Sequence, residues 1–421
     1  MLDAMLADAD ATRVRAVGVP SSLLQHKEVE EENTKTTQYH FVSFLLPRLL
    51  ADYYYDCHFC RRAIATMSLP KEFVDAHHHF IDTTCDVYKN FLATIAPDLQ
   101  YLPESYTKDV VEDLAKIGVT VTASVHVEAM PDNGAAEAAY VQKFVDDGKA
   151  PTVKAIVGSV DLAAGDAEEQ MKALKAAAPE GVVKGVRWMV DCVGKFDGGK
   201  SATHVATKRH DGVDYLRGSD GGYDGTTVPA FEAGFAALGK HGLSFDLQCA
   251  PAQLVEAAKL AARHPDVPLV IDHLGKPRII LGPDMLGEGD EEKKVNPNLT
   301  PDVKELEVWR AGMKAMAAVP HVCVKIGMLG YIVPGWVRTP EREAIVKDLV
   351  LETVKLFGPE RCMVESNWWA NAAASDSDFL SDAAPSASEL IQKTSSWFSD
   401  FSDEETKMLF SGTAKKFYRL E

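Results

Sequence analysis

Disulfide scaffolds are excluded first. The 421-residue chain has 7 cysteines, at positions 57, 60, 85, 192, 249, 323 and 362, too few and too scattered for a framework of bridges, and an odd number besides. Reduced thiols in a cytoplasmic setting are the expectation. Cys57 and Cys60 form one CxxC, but a structural zinc site of that kind needs a second ligand pair, and there is no second CxxC. Long apolar runs are missing too. The stretch from Phe41 to Tyr55 is broken by Pro47 and Arg48 and falls short of the roughly 20 residues that cross a bilayer. Positive charge is scarce: 44 Lys and Arg against 62 Asp and Glu leave a net charge of -18. That balance repels phosphate backbones and anionic lipid, so neither nucleic acid nor membrane is an expected partner. Nor is there a GxGxxG or Walker-type loop to cradle a nucleotide.

What is present is an ordinary globular composition, 46% hydrophobic and 25% charged. The length allows two or three domains, or one large α/β barrel with insertions. Residues 1–70 read differently from the rest, with an acidic start, a charged run and the interrupted apolar stretch; they are set apart as an unassigned N-terminal extension. The well-patterned sequence begins within a few residues of Met67, a candidate start.

From residue 71 onward, short β-rich runs alternate with stretches of helical period. The candidate strands are 73–79, 119–128, 152–160, 182–189, 243–249, 268–273, 321–327 and 362–367. Amphipathic helices are expected near 135–148, 166–177, 229–241, 252–264, 303–318, 340–357 and 386–399. Thr300 and Thr339 each precede a proline and can cap a helix, and Ser402 with Glu405 spells a capping box. Near-continuous apolar strands separated by helices imply a parallel sheet covered on both faces. Eight such units imply a closed (β/α)8 TIM barrel over residues 71–421.

Polar residues collect at the C-terminal ends of these strands: His77, His79, His126, Glu128, Asp161, Arg187, Gln248, His273, Lys325, Glu365 and Asn367. In a barrel those ends make one rim, where active sites sit. Two long connections, 190–228 and 279–301, rise from the same rim. The first carries His204, His210, Arg217 and Tyr223 and is expected to cover a substrate. The second is a run of acids and lysines that reads as a surface insertion.

The densest signal is DAHHHF. Side chains two apart on a strand share a face, so His77 and His79 should converge with Asp75 one layer deeper, while His78 points away. Two imidazoles at a barrel mouth can bind a metal or polarise a carbonyl oxygen.

Together with SVHVEA, KGVRW, FDLQCAPAQL, PLVIDHLGKP, VKIGML, FGPERCMVESNW and GTAKKFYRL, this motif makes residues 71–421 resemble the amidohydrolase superfamily. Within it, the chain is similar to the TIM-barrel hydrolases that include 2-pyrone-4,6-dicarboxylate lactonase and the sugar lactonases. The resemblance implies His77 and His79 as the first-strand pair and His273 as the sixth-strand histidine, the three being metal ligands if a metal is bound. It implies that Arg187 holds a substrate carboxylate or carbonyl, a role suited to a guanidinium fork. Gln248, Lys325, Arg217 and Tyr223 are further candidates for binding substrate. At the eighth strand, where most members carry an aspartate, this chain has Asn367, and the position four residues on is Asn371. An amide cannot take a proton from water, so Glu365 is the first candidate base, with Asp246 and Glu128 next. Asp272, by strand parity, should face away from the mouth and accept a backbone hydrogen bond.

The expected activity is hydrolysis of a small carboxylated lactone or related cyclic ester, by carbonyl polarisation and water attack. One divalent ion, zinc by preference, is the expected cofactor if there is one, with metal-free catalysis favoured slightly. The rivals are a metal-dependent decarboxylase of aromatic or enoic acids and a degenerate barrel that only binds a metabolite. A homo-oligomer is compatible with all of these.

Overall fold

The computed structural model describes residues 69–89, 91–192, 213–218, 226–277, 303–333, 335–368 and 385–420. The expected features at Cys57, Cys60, Met67, His204, His210, Tyr223, Thr300 and Asn371 lie outside the described residues.

Eight strands form one parallel sheet in sequential order: β1 (Glu72–His78), β2 (Thr120–Val127), β3 (Val153–Ser159), β4 (Val183–Arg187), β5 (Ser244–Leu247), β6 (Leu269–Ile271), β7 (Val322–Ile326) and β8 (Cys362–Val364). The ring closes just beyond β8, where Asn367 donates its N–H to the His77 carbonyl at 2.9 Å and His79 donates to Trp368 at 2.7 Å. The expected TIM barrel is therefore the observed fold, with each of the eight strands where the alternation placed it.

Period-2 alternation sorts the strand side chains into two cores. Val74, Ala76, Ala123, Val125, Ala155, Val157, Val270 and Met363 fill the barrel interior. Phe73, Val121, Ile156, Val186, Phe245 and Val324 face outward into the larger layer beneath the helices. The interior leans on alanine and valine because a small barrel has little room at its axis. Its base is plugged by Ala414, Phe417 and Tyr418, from the last helix, Thr413–Tyr418.

Helix boundaries follow local chemistry. The helix Pro229–His241 opens on proline at its first position and ends at Gly242, whose φ of 67° is the left-handed stop that a Cβ would strain. Thr339 caps Pro340–Phe357 by accepting from the Arg342 N–H, and Ser402 with Glu405 forms the reciprocal box before Asp403–Lys407.

Simple strand parity fails at two places, and both shape the site. In β1 the register shifts between Asp75 and His78, the mark of a β-bulge. Asp75 consequently does not lie beneath His77 and His79. It meets the Tyr106 hydroxyl at 2.7 Å, the Ser366 hydroxyl at 2.6 Å and the Ser366 N–H at 2.9 Å, and it accepts the His77 N–H at 3.3 Å. One carboxylate thus ties the bulge to the seam where the barrel closes. Burial pushes its pKa up to about 6 against these four donors. His78 does point away as expected, stacking on Tyr106 at 4.3 Å.

The second failure is at the end of β6. His273 and Leu274 adopt φ of 56° and 54°, so the chain turns sharply after Ile271. Asp272 and His273 both face inward as a result, and the expectation that Asp272 turns away from the mouth is overturned.

Candidate active site

Seven of the expected residues converge inside the C-terminal mouth. His77 and His79 approach to 3.2 Å between their Nε2 atoms, and the His77 and His273 ring centres are 4.9 Å apart. Glu365 lies between two imidazoles, 2.7 Å from His273 Nδ1 and 3.0 Å from His77 Nδ1. Arg187 NH1 is 3.3 Å from both His77 Nε2 and Gln248 Oε1. Lys325 Nζ is 3.1 Å from His77 Nδ1. All seven are buried.

Burial keeps the imidazoles neutral. It lowers His77 to about 4, helped by the nearby Lys325 charge, although Glu365 and Asp272 oppose it. It lowers His273 to about 3, with Asp272 opposing and Arg187, Lys325 and Lys276 assisting. His79 is also held well below its ordinary value by burial and by its neighbours His77 and Arg187. Around pH 7, each ring therefore has one N–H to donate and one lone pair to accept with.

Around the histidines runs a ring of paired charges. Arg187 donates from Nε to Glu128 at 2.8 Å and also bonds the Glu128 carbonyl. Glu128 in turn accepts the Met130 N–H at 2.8 Å. Lys325 bonds Asp246 at 2.6 Å and Asp272 at 3.0 Å. Burial alone would lower the pKa of both cations, but the surrounding carboxylates raise Arg187 and Lys325 above their ordinary values. Burial alone would raise Asp272, yet Lys325 and the flanking imidazoles hold it well below the carboxylate range. Gln248 passes the chain on to Asp191 at 3.1 Å, which also bonds Lys276.

The structure gives each candidate its partners. Lys325 sits beneath His77, with Asp246 and Asp272 as its acid partners. Arg187 is likewise committed to Glu128. Glu128 and Asp246, the secondary candidates for base, are each locked to a cation. Arg217 is absent from the cluster: it pairs with Asp214 at 2.7 Å and bonds the Ala252 carbonyl. Asp161 caps its own turn through the Ala163 N–H, and His126 accepts from the Phe80 N–H. The residues missed were Asp272, Asp191, Lys276 and Tyr418. A clue to the first existed in DHLGKP, since a glycine and proline so soon after a strand mark a sharp turn in which parity counting stops.

Asn367 stands at the rim with φ of 50°, buried, and neither atom of its amide finds a hydrogen-bond partner. An amide left in that condition costs about 1–3 kcal/mol, and a bound ligand or water could offset it.

For a metal, the side chains of ligand type close enough to share one ion, among the described residues, are His77, His273 and Glu365, with donor atoms within 4.8 Å of one another. By type, imidazole and carboxylate suit zinc. As arranged they do not fit it: Lys325 lies 3.1 Å from His77 Nδ1 and Arg187 lies 3.3 Å from His77 Nε2, so an ion on either nitrogen would meet a fixed positive charge. The set His77, His79 and His273 meets the same obstacle at His77.

Comparison with known proteins agrees with this architecture. The family model described as amidohydrolase matches residues 74–420. Among curated proteins, the uncharacterized protein y4mH of Sinorhizobium fredii is 29% identical over 193 residues, 46% of this chain and 52% of the relative. The L-fucono-1,5-lactonase of Burkholderia multivorans is 28% identical over 192 residues, 45% of this chain and 56% of the relative. The chain thus spans about half the length of the curated relatives it matches. An amidohydrolase from Burkholderia multivorans, solved with bound HEPES, superimposes with a TM-score of 0.57 at 21% identity, covering 83% of this chain and 99% of that one. A second crystal form of that protein contains zinc and gives 0.56.

Proposed function

The chain belongs to the amidohydrolase family, and from that premise we propose that it opens a small lactone or related cyclic ester by hydrolysis. The observation that carries this reading is the Glu365–His273 pair, joined at 2.7 Å and set against the His77–His79 pair. A carboxylate that accepts the Nδ1 proton of an imidazole leaves Nε2 as a proton acceptor and stabilises the imidazolium when it forms. Glu365 thereby answers the question that Asn367 raised, acting through His273 rather than on water directly.

The step proceeds as follows. The scissile carbonyl rests against the His77–His79 pair. Water adds to the carbonyl carbon, and its proton passes to His273 Nε2. The N–H shared within the His77–His79 pair turns to the developing oxyanion, whose stabilisation is the largest single contribution to acceleration in sites of this kind. The ring C–O bond then breaks, and the leaving oxygen takes the proton back from His273. Asn367, with a free donor and a free acceptor, is placed to orient the water or a ring hydroxyl.

A carboxylate on the substrate was expected from Arg187, Lys325 and Arg217. Each of these already has an acid partner, so a carboxylated substrate would have to displace one. That favours a neutral, hydroxyl-bearing ring, a reading in keeping with the sugar lactonase among the curated relatives. The test is turnover of a panel of neutral and carboxylated lactones by the wild type and by Glu365→Gln. Opening of a neutral lactone, reduced at least about a hundredfold in the variant, supports the proposal. Unchanged turnover in Glu365→Gln would remove the dyad from the mechanism.

A further inference from the structure

The proton positions in the mouth are decided from below. Lys325 donates to Asp246 Oδ2 at 2.6 Å and faces His77 Nδ1 at 3.1 Å, with Asp272 Oδ1 as an ion-pair partner at 3.0 Å. An ammonium donates only, so the His77 Nδ1 that faces it must be a lone pair. His77 therefore carries its proton on Nε2. The neighbouring ring agrees, because His79 Nδ1 lies 2.8 Å from the Val127 carbonyl and can only donate there, leaving His79 Nε2 as the acceptor for His77 Nε2–H at 3.2 Å. In the opposite tautomer, His77 Nδ1–H would face the ammonium, and two lone pairs would face each other across 3.2 Å.

Three contacts compete with this assignment, and none reverses it. Asp272 Oδ1 is 3.6 Å from His77 Nδ1, outside hydrogen-bond reach, and lies nearer Lys325 Nζ at 3.0 Å. Glu365 Oε2 is 3.0 Å from His77 Nδ1 but makes no hydrogen bond, since it lies out of line with any N–H on that ring. Arg187 NH1 is 3.3 Å from His77 Nε2, but its two hydrogens also have Gln248 Oε1 at 3.3 Å and Asp272 Oδ2 at 3.7 Å.

What holds Lys325 in this pose reaches the far end of the barrel. Tyr418 donates its hydroxyl to Asp246 Oδ2 at 2.6 Å, the same oxygen that Lys325 bonds, and the Lys325 ammonium lies 5.6 Å from the Tyr418 ring centre. Tyr418 itself is fully buried in the plug that closes the barrel base. We propose that Tyr418 is a positioning residue for the site: through Asp246 it aims Lys325 at His77 and fixes His77 as the Nε2–H tautomer, the donor that meets the substrate carbonyl. The tautomer assignment stands on the geometry alone. Its consequence for turnover rests on the lactone-opening reading above.

The experiment uses the full chain with 15N-labelled histidine, in spectra that correlate ring nitrogens with ring carbon-bound protons at pH 7.5. His77 is assigned by loss of its signals in His77→Gln. The wild type is expected to show a protonated Nε2 and an unprotonated Nδ1 at His77. Lys325→Met should abolish that pattern, and Tyr418→Phe, which removes one oxygen and keeps the plug, should convert it to a mixture of tautomers. In Tyr418→Phe, kcat on an opened lactone should fall about ten- to a hundredfold with KM little changed. A wild-type His77 protonated on Nδ1 overturns the proposal, as does a Tyr418→Phe spectrum identical to wild type. If Tyr418→Phe fails to fold, Asp246→Asn serves in its place with the same expected and overturning spectra. Absence of turnover on every lactone tested would sink the proposed function and leave the spectra to judge the tautomer.

Discussion

The floor and the mouth of this barrel are built by opposite rules. In the floor, Lys325, Asp246, Asp272 and Tyr418 are buried and held by charge: the ammonium lies 2.6 Å from Asp246 and 3.0 Å from Asp272, and Tyr418 donates to Asp246, while Asp246 Oδ1 and both Asp272 oxygens have no hydrogen bond. At the mouth, Asn367 has both amide atoms unbonded, and Glu365 Oε2 has no hydrogen bond. A cluster of paired buried charges resists rearrangement, because moving any member strands a buried charge. The uncharged amide of Asn367 at the rim has no such partner and stores a modest cost that a ligand can relieve. The contrast separates residues that hold the site from residues that wait for substrate.

Breaking the floor should have the largest effect. Lys325→Met leaves Asp246 and Asp272 as buried acids without their cation and should destabilise the fold by about 3–5 kcal/mol, read from denaturant unfolding. A loss below about 1 kcal/mol would mean that the floor is not a cooperative network.

The next effect belongs to the mouth and should appear in chemistry alone. His273→Ala is expected to lower kcat/KM for lactone opening at least about a hundredfold while shifting the unfolding midpoint far less than Lys325→Met. Equal losses of stability in the two variants would erase the distinction between the regions.

A smaller effect is set by pH. His77 and His273 are held at about 4 and about 3 by burial, below their unfolded values near 6.5. Between those limits the unfolded chain binds more protons on these two rings than the folded one, so their contribution to stability rises with pH and is lost as pH falls from about 6.5 towards 4, while Asp75 and Asp246, raised to about 6, contribute with the opposite sign. With melting temperatures measured from pH 7.5 down to pH 4.5, His77→Gln should lose less stability on acidification than the wild type, since it lacks one of the two rings. Parallel profiles for wild type and His77→Gln would show that this ring is not held neutral by burial.

The smallest effect sharpens the comparison from the other side. Asn367→Ala removes an amide with no protein partner, so stability should change by less than about 1 kcal/mol or even rise, while KM for a lactone increases. Marked destabilisation would place Asn367 with the floor.

Much of this was legible in the sequence, and the exceptions share a cause. Eight strands, the capped helices at Thr339 and Ser402, and the convergence of His77, His79, His273 and Glu365 all follow from period-2 and period-3.6 patterning and from the family motifs. Asp75 and Asp272 were misplaced because parity counting assumes an unbroken strand, and β1 carries a bulge while β6 ends in left-handed residues. Tyr418 could not be found by any local signal. It meets Asp246 across 172 positions of chain, and only the closed barrel brings the last helix under β5. The acid partners of Arg187, Lys325 and Arg217 were invisible in the sequence until the fold paired them.

The central claim is that the histidine mouth backed by Glu365 opens a lactone ring by attack of water on its carbonyl carbon. The most direct measurement is turnover of a neutral sugar-type lactone in 18O-labelled water, with mass analysis of the product, for wild type and His273→Ala. The account predicts one 18O in the new carboxylate and none in the released hydroxyl, with the rate lost in the variant. Label in the hydroxyl carbon–oxygen bond, or an undiminished rate in His273→Ala, would contradict it.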